Sequence, residues 1–257
     1  MTALVTGAAK RLGRAMALEL AAHGHDIAVH YHGSEDEAER TCEEIRAHGV
    51  KAVALQADLT VEDEVQALLP RAAEALGPIE VLINNASIFD YDNIESATRD
   101  SWDRHMESNL RAPFVLTQAL AAQLPDPDMD ENDEPVARGL IVNMCDQRVR
   151  KLTPEFMTYT IAKMGLWALT RTSAQALAPR ARVNAIGPGP TMKGARQSEE
   201  HFAKQRAATV LERGADPQGI CEALRYFLTA KSVTGQLICV DGGQHLGWET
   251  PDVVGVE

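Results

Sequence analysis

The sequence predicts an α/β fold, a doubly wound domain with a seven-stranded, mainly parallel sheet and helices on both faces, spanning residues 1–257. Three observations carry this reading. Short apolar runs rich in Val and Ile alternate with longer stretches of helical period. The alternation continues from the first residues to about Gly243 with no repeat or linker. Parallel neighbours need crossover connections, and helical crossovers cover both faces of a sheet.

The first strand is "ALVTG" (3–7), and a helix follows from about Arg11 to His23 with Leu12, Met16 and Leu20 along one face and Gly24 as its stop. "DIAVHYH" (26–32) is the second strand. Ser34 opens the next helix, with Ser34 and Glu37 at capping-box spacing and Gly49 at its end. "VKAVALQAD" (50–58) is the third strand, and Thr60, with Asp63 three residues on, opens a helix that ends at Gly77. Four further strands read as "IEVLINNAS" (79–87), "GLIVNMCD" (139–146), "RVNAIGPG" (182–189) and "GQLICVDGG" (235–243). Helices near 100–123, 153–177 and 216–230 separate them. The segment "PDPDMDENDEPVARG" (125–139), rich in acids and prolines, reads as a solvated surface loop rather than a metal site.

Composition narrows the function classes. A net charge of −12 and a pI near 5.1 argue against a nucleic-acid partner, which needs a basic face. Apolar runs are broken well short of a membrane span, and no secretory signal is visible at "MTALVTGAAK". The four cysteines form no C-x-x-C pair and read as buried reduced thiols, which points to the cytoplasm and to no metal site.

Candidate chemistry gathers at the strand ends. Thr6-Gly7-Ala8-Ala9-Lys10-Arg11-Leu12-Gly13 joins the first strand to the first helix, where a small-residue turn lets a pyrophosphate approach free N–H groups at a helix N-terminus. No acid stands at 30–34 to hold ribose hydroxyls, while Lys10, His32 and Ser34 suit a 2′-phosphate, so NADPH is expected over NADH. Ser34 serves equally as a plain N-cap. Tyr159 and Lys163, four apart, share one helix face, and an ammonium beside a phenol lowers its pKa and fits it for proton transfer.

Together these pieces resemble the short-chain dehydrogenase/reductase family, whose nucleotide-binding domain is of Rossmann type. The matching residues are the glycine turn, Asp58-Leu59, "NNAS" from Asn84, Asn109 in "SNLRAP", "YTIAK", "GPGP" from Gly187 and "VDGG" from Val240. The resemblance implies that Tyr159 moves the proton, that Lys163 lowers its pKa and holds the nicotinamide ribose, and that Asn109 supports a relay water. It also implies cofactor contacts from Gly7, Leu12, Gly13, Asp58, Leu59, Asn85, Ala86 and Gly189.

Two departures point within the family. Arg11 replaces the middle glycine of the turn, and Asp146 stands thirteen residues before Tyr159 in place of the usual serine. With "HYHGS", "NNASIF" and "NMCD", these resemble the pteridine reductase branch, although Gly33 stands where that branch often carries an arginine. That resemblance implies that Arg11 touches both the cofactor phosphate and the substrate, that Tyr159 touches both cofactor and substrate, and that Ser87, Phe89 and Asp146 are substrate contacts, with Phe89 stacking on a pteridine. Residues 190–214 become the loop that closes over substrate. An ordinary ketone reductase, for instance of a 3-oxoacyl thioester, and a non-catalytic nucleotide-binding module remain the alternatives. The resemblance also implies a homotetramer paired through the helices at 100–123 and 153–177, including Trp167 and Leu169. Trp248, in the tail 246–257, reads equally as a subunit contact or part of a frayed end. Arg148, Arg150 and Lys151, with Lys193 and Arg196, suit an anionic substrate tail or a solvated loop face.

Overall fold

The computed structural model describes residues 1–194 and 197–249; Arg196 and residues 250–257 of the tail lie outside them. Seven strands form one sheet in the order β3-β2-β1-β4-β7-β8-β9, with every pairing parallel. These are β1 (Thr2–Val5), β2 (Asp26–Tyr31), β3 (Ala52–Gln56), β4 (Val81–Asn84), β7 (Gly139–Met144), β8 (Ala181–Pro188) and β9 (Leu237–Val240). The strand order reverses between β1 and β4, so the crevice beyond their carboxyl ends is where such sheets place a ligand.

The apolar runs are continuous because both faces are covered. Ala3, Val5, Val81, Ile83, Leu140 and Val142 enter one core, which α1 (Arg11–Ala22), α2 (Glu35–Arg46) and α8 (Pro217–Thr229) complete with Met16, Leu20, Ile45 and Phe227. Their sequence neighbours Leu4, Leu82 and Ile141 enter the other, with Leu68, Leu69, Leu116 and Leu120 from α3 (Glu62–Leu76) and α5 (Ala112–Gln123). Each fully buried side chain of this size contributes roughly 1.5–3 kcal/mol.

Several local expectations are corrected. The Ser34 side chain makes no cap, and Glu37, the other half of the expected box, is drawn to Lys10 at 2.8 Å. Thr60 does not cap α3; its hydroxyl donates to Asp58 Oδ1 at 2.7 Å, and Val61 takes the N-cap position. The helix expected over 100–123 divides into α4 (Arg99–Met106), a π turn (Glu107–Arg111) and α5. The helix expected from Thr153 is α6 (Met157–Leu177), which starts after Phe156 turns the chain with a φ of 56°. The acidic loop holds a short antiparallel pair, β5 (Asp128–Met129) and β6 (Pro135–Val136), because Asp130 Oδ1 accepts from the backbone N–H groups of Asn132 and Glu134. The substrate-loop region carries α7 (Glu199–Ala207), capped by Ser198, which the sequence reading did not anticipate. Among the described residues no helix is long and apolar enough to cross a membrane.

Helix α1 runs tightly against the turn it leaves: a Cβ added at Gly13 would stand 2.2 Å from the Gly7 carbonyl oxygen. Gly13→Ala is therefore expected to lower unfolding free energy by about 3 kcal/mol, the upper range for overpacking a rigid contact. Urea denaturation reads it, and a change below about 0.5 kcal/mol would contradict this packing.

Candidate active site

A cleft of about 1180 Å³ opens at the carboxyl ends of the strands. At one end lies the turn after β1, with Gly7, Lys10, Arg11, Leu12 and Gly13 all lining the cleft. Gly7 and Arg11 both adopt left-handed backbone, with φ of 62° and 55°, which explains why a glycine suits position 11. Asn85 braces this turn, donating from Nδ2 to the carbonyls of Thr6 at 2.9 Å and Gly7 at 3.2 Å.

His30 braces it from below, and the sequence reading missed it. The Gly7 N–H donates to His30 Nδ1 at 3.0 Å, so the proton sits on Nε2, which donates to the Ala57 carbonyl at 3.1 Å. Burial pushes the His30 pKa down to about 4, which keeps the ring neutral and its two roles fixed near neutral pH. One imidazole thus joins the ends of β1, β2 and β3.

The residues read as 2′-phosphate contacts divide. Lys10 and His32 line the cleft, and Ser34 does not. His32 Nε2 lies 3.6 Å from Asp58 Oδ2, and hydrogen bonds from Thr60 help hold that carboxylate below its usual pKa. Leu59, Asn85, Ala86, Ser87 and Gly189 also line the cleft.

At the other end the Tyr159 hydroxyl donates to Asp146 Oδ2 at 2.9 Å. The second oxygen, Oδ1, accepts from the Arg148 N–H at 2.8 Å and caps the short turn Gln147–Val149. The carboxyl group therefore both caps a loop and touches the tyrosine. Burial raises the Asp146 pKa. Burial and the Asp146 charge raise that of Tyr159 well above an ordinary phenol. The expectation that Lys163 sets a low Tyr159 pKa is corrected by that geometry. Lys163 Nζ donates to the Met144 carbonyl at 2.7 Å, 5.7 Å from the tyrosine ring centroid, and burial lowers its own pKa.

Aromatic side chains cover this end. Phe89 stacks on Phe156 at 4.3 Å and meets Tyr159 edge-on at 4.6 Å, leaving Tyr159 only 5% exposed. Tyr159 and Lys163 accordingly lie behind the cleft wall rather than on it. Asn109 lies behind it too, on the π turn; its amide is used in both directions by Ile88, at 2.8 Å each. The Arg11 guanidinium reaches the start of the substrate loop, donating to the carbonyls of Met192 and Lys193, each at 3.0 Å.

Helix α6 is anchored from a distance. Its N-cap, Phe156, offers no side-chain cap, and the buried Asp92 substitutes by accepting from the Thr158 N–H at 3.0 Å. The Thr158 hydroxyl also donates to Asp92, and Ser101 adds another donor at 3.0 Å. Burial works against the Asp92 charge, but these donors outweigh it and hold its pKa low. His105 takes the Asp90 N–H on Nε2 and donates from Nδ1 to Thr158 Oγ1 at 2.7 Å, with its ring against Tyr159. No spacing in the sequence signals this cluster. Among the described residues no group of His, Cys, Asp and Glu side chains forms a metal site.

Comparison with known proteins places this geometry. A family model described as enoyl-(acyl carrier protein) reductase matches residues 7–245. The chain is 32% identical over 250 residues to the 3-oxoacyl-[acyl-carrier-protein] reductase FabG of Staphylococcus epidermidis, covering 95% of this chain and 99% of that one. Among solved structures it is similar to the FolM alternative dihydrofolate reductase 1 of Brucella canis, complexed with NADP, at 43% identity and a TM-score of 0.89, covering 99% and 98% of the two chains. The Brucella suis protein of the same description, also with NADP, gives 44% and 0.91, with 98% of each chain covered. The matches run along nearly the whole length of these reductases, and the chain belongs to the short-chain dehydrogenase/reductase family.

Proposed function

We propose that this chain is an NADPH-dependent reductase that transfers hydride to a pteridine of the dihydropterin or dihydrofolate type. In this reading Tyr159, Asp146 and Lys163 supply the proton. The observation that carries the reading is the Asp146–Tyr159 hydrogen bond of 2.9 Å. Reducing a ring C=N bond requires a hydride on carbon and a proton on nitrogen. A carboxyl group able to hold a proton serves that nitrogen better than a serine hydroxyl does. Phe89, 47% exposed beside Tyr159, offers a face to a flat heteroaromatic ring. The likeness to two proteins named as alternative dihydrofolate reductases supports the same reading.

The residues present fit the cofactor. Lys10 at the N-cap of α1 makes no side-chain cap, so the helix keeps free N–H groups for a pyrophosphate. A Cβ at Gly7 or Gly13 would meet Ala86, Asn85 or the Gly7 carbonyl, so these glycines keep the turn closed against the sheet beside those N–H groups. Lys10 and His32 would hold the 2′-phosphate, Asp58, Leu59, Asn85 and Ala86 the adenosine, and Lys163 and Gly189 the nicotinamide end. When bound, the nicotinamide supplies the hydride. Tyr159, kept protonated by its raised pKa, donates its hydroxyl proton toward the substrate. Asp146 accepts from that hydroxyl and lines the cleft, so a proton its carboxylate takes up from solvent can pass on to the phenolate left behind.

A second reading, reduction of a ketone such as a 3-oxoacyl thioester, draws support from the staphylococcal relative. The assembled Asp146–Tyr159 pair, with Lys163 behind it, speaks against a non-catalytic nucleotide-binding module. We also propose a homotetramer of the cytoplasm. Trp102, Phe114, Ile161 and Met164 present exposed apolar surface on α4, α5 and α6, and the four cysteines are free thiols. Trp248 is exposed in the single chain and available to such a contact. Light scattering at micromolar concentration is expected to give four chains, and a monomer would refute this.

The test of function is turnover of dihydrobiopterin, dihydrofolate and a 3-oxoacyl thioester, followed by loss of NADPH absorbance. Pteridine turnover with NADPH well above that with NADH is expected. Asp146→Ser should lose it by about 100-fold, the lower range for removing a general acid, and Asp146→Ala by more. Thioester turnover alone, or a serine variant at the parent's rate, would overturn the reading.

The raised Asp146 pKa has a consequence for stability. Because the folded state binds this proton more tightly than the unfolded chain, ionised Asp146 penalises folding. The penalty is absent below the unfolded carboxylate pKa of about 3.9 and grows as pH rises through the folded value. Asp146→Asn is expected to be more stable than the parent at pH 8, with the gain shrinking toward pH 4. Urea denaturation at both pH values measures it, and a gain independent of pH would contradict it.

A further inference from the structure

The cations around the cleft are unequally engaged. Lys10 is paired with Glu37, and Arg11 holds two backbone carbonyls at the cofactor end. Arg148 lines the opposite end beside Asp146 and Phe156. Its guanidinium lies 4.9 Å over the Phe156 ring and donates to Thr153 Oγ1 at 2.9 Å. Among the described residues no carboxylate forms an ion pair with it. The basic run in the sequence is thereby divided: Arg150 lies over Trp167, and Lys151 donates to the Gly247 carbonyl, both away from the cleft.

An aromatic wall leads to this guanidinium. Phe89 stacks parallel to Phe156, and Tyr91 meets Phe156 edge-on at 5.2 Å. Glu155, on the same wall, lies beside the Tyr91 hydroxyl and raises its pKa. Phe156 is sandwiched, but Phe89 and Tyr91 beside it are 47% and 51% exposed. Such open aromatic surface followed by a half-buried planar guanidinium matches an aryl group that ends in a carboxylate, which such a fork binds with two parallel hydrogen bonds. On a chain of net charge −12, that local cation is what would admit an anion.

We propose that Arg148, held over Phe156, forms with the exposed Tyr91 ring an aryl-carboxylate subsite. The substrate is then a dihydropteridine bearing an aromatic arm that ends in a carboxylate, in preference to one with a short neutral side chain. This rests on the pteridine reading above. Arg148 selects the arm and takes no part in the proton path.

The test compares kcat/KM for dihydrofolate with that for dihydrobiopterin in the parent, Arg148→Met and Arg148→Lys. Taking the ratio cancels any general effect of the lost charge on Asp146. The ratio should favour dihydrofolate in the parent and fall by about 10-fold or more in Arg148→Met, as loss of a charge-assisted contact implies. Arg148→Lys should fall between, since a point charge lacks the fork. A ratio within about two-fold of the parent in Arg148→Met would overturn the subsite. Calorimetric titration with aminobenzoyl-glutamate, which has the arm and no pteridine, separates the two claims. If neither pteridine is reduced but this fragment binds the parent and not Arg148→Met, the pteridine reading fails and the subsite stands. If neither pteridine is reduced and the fragment binds both proteins alike or neither, the subsite fails too.

Discussion

The closeness of Gly7 to Gly13 is the constraint from which the cleft is built. Only hydrogen fits where a Cβ at position 13 would meet the Gly7 carbonyl, so α1 seats its N-terminus at the edge of the sheet and nowhere else. His30 then fixes the turn to the neighbouring strands through Gly7 and Ala57. With the strand ends tied in this way, residues from β2, β3 and β4 face one space, and a ligand meets a surface organised before it arrives.

The strands were legible because each is buried on both faces and so reads as an unbroken apolar run. Helix starts were less so, because capping depends on which partner wins. Glu37 had the spacing to pair with Ser34 but met Lys10, and Thr60 turned to Asp58. The start of α6 was set by Phe156 in left-handed backbone and by Asp92, far away in the chain. The same division holds for the site. Tyr159, Lys163 and Asp146 announce themselves by spacing. His30, Asp92, His105 and the separate fate of Arg148 depend on contacts between distant segments, and those no local pattern encodes. Asn109 was legible as a residue, but its amide is spent on Ile88.

Two carboxylates flank the tyrosine region with opposite electrostatic fates. Asp92 receives donors from Thr158 and Ser101 and is held ionised at the N-terminal end of α6, where the helix dipole favours an anion. Asp146 receives fewer, and burial pushes it toward its neutral form. Environments that drive two like groups apart assign them different work. Asp92 anchors the helix that carries Tyr159, while Asp146, with the raised pKa, is the one placed to exchange a proton in the proposed reaction. The loop that bears Phe89 also bears Asp92, so the Phe89 ring and the helix that carries Tyr159 share one anchor.

The left-handed backbone at Arg11 has its own evolutionary consequence. A non-glycine residue there carries about 1–2 kcal/mol of local strain. Glycine would relieve it but would also widen the unfolded ensemble by up to about 1 kcal/mol. The strain is the larger, so folding alone favours glycine here by roughly 1 kcal/mol, a small share of a domain's stability. A lineage can exchange a bare turn for one bearing a guanidinium over the Met192 and Lys193 carbonyls without crossing a stability threshold. Ligand chemistry is then left to decide which residue is kept.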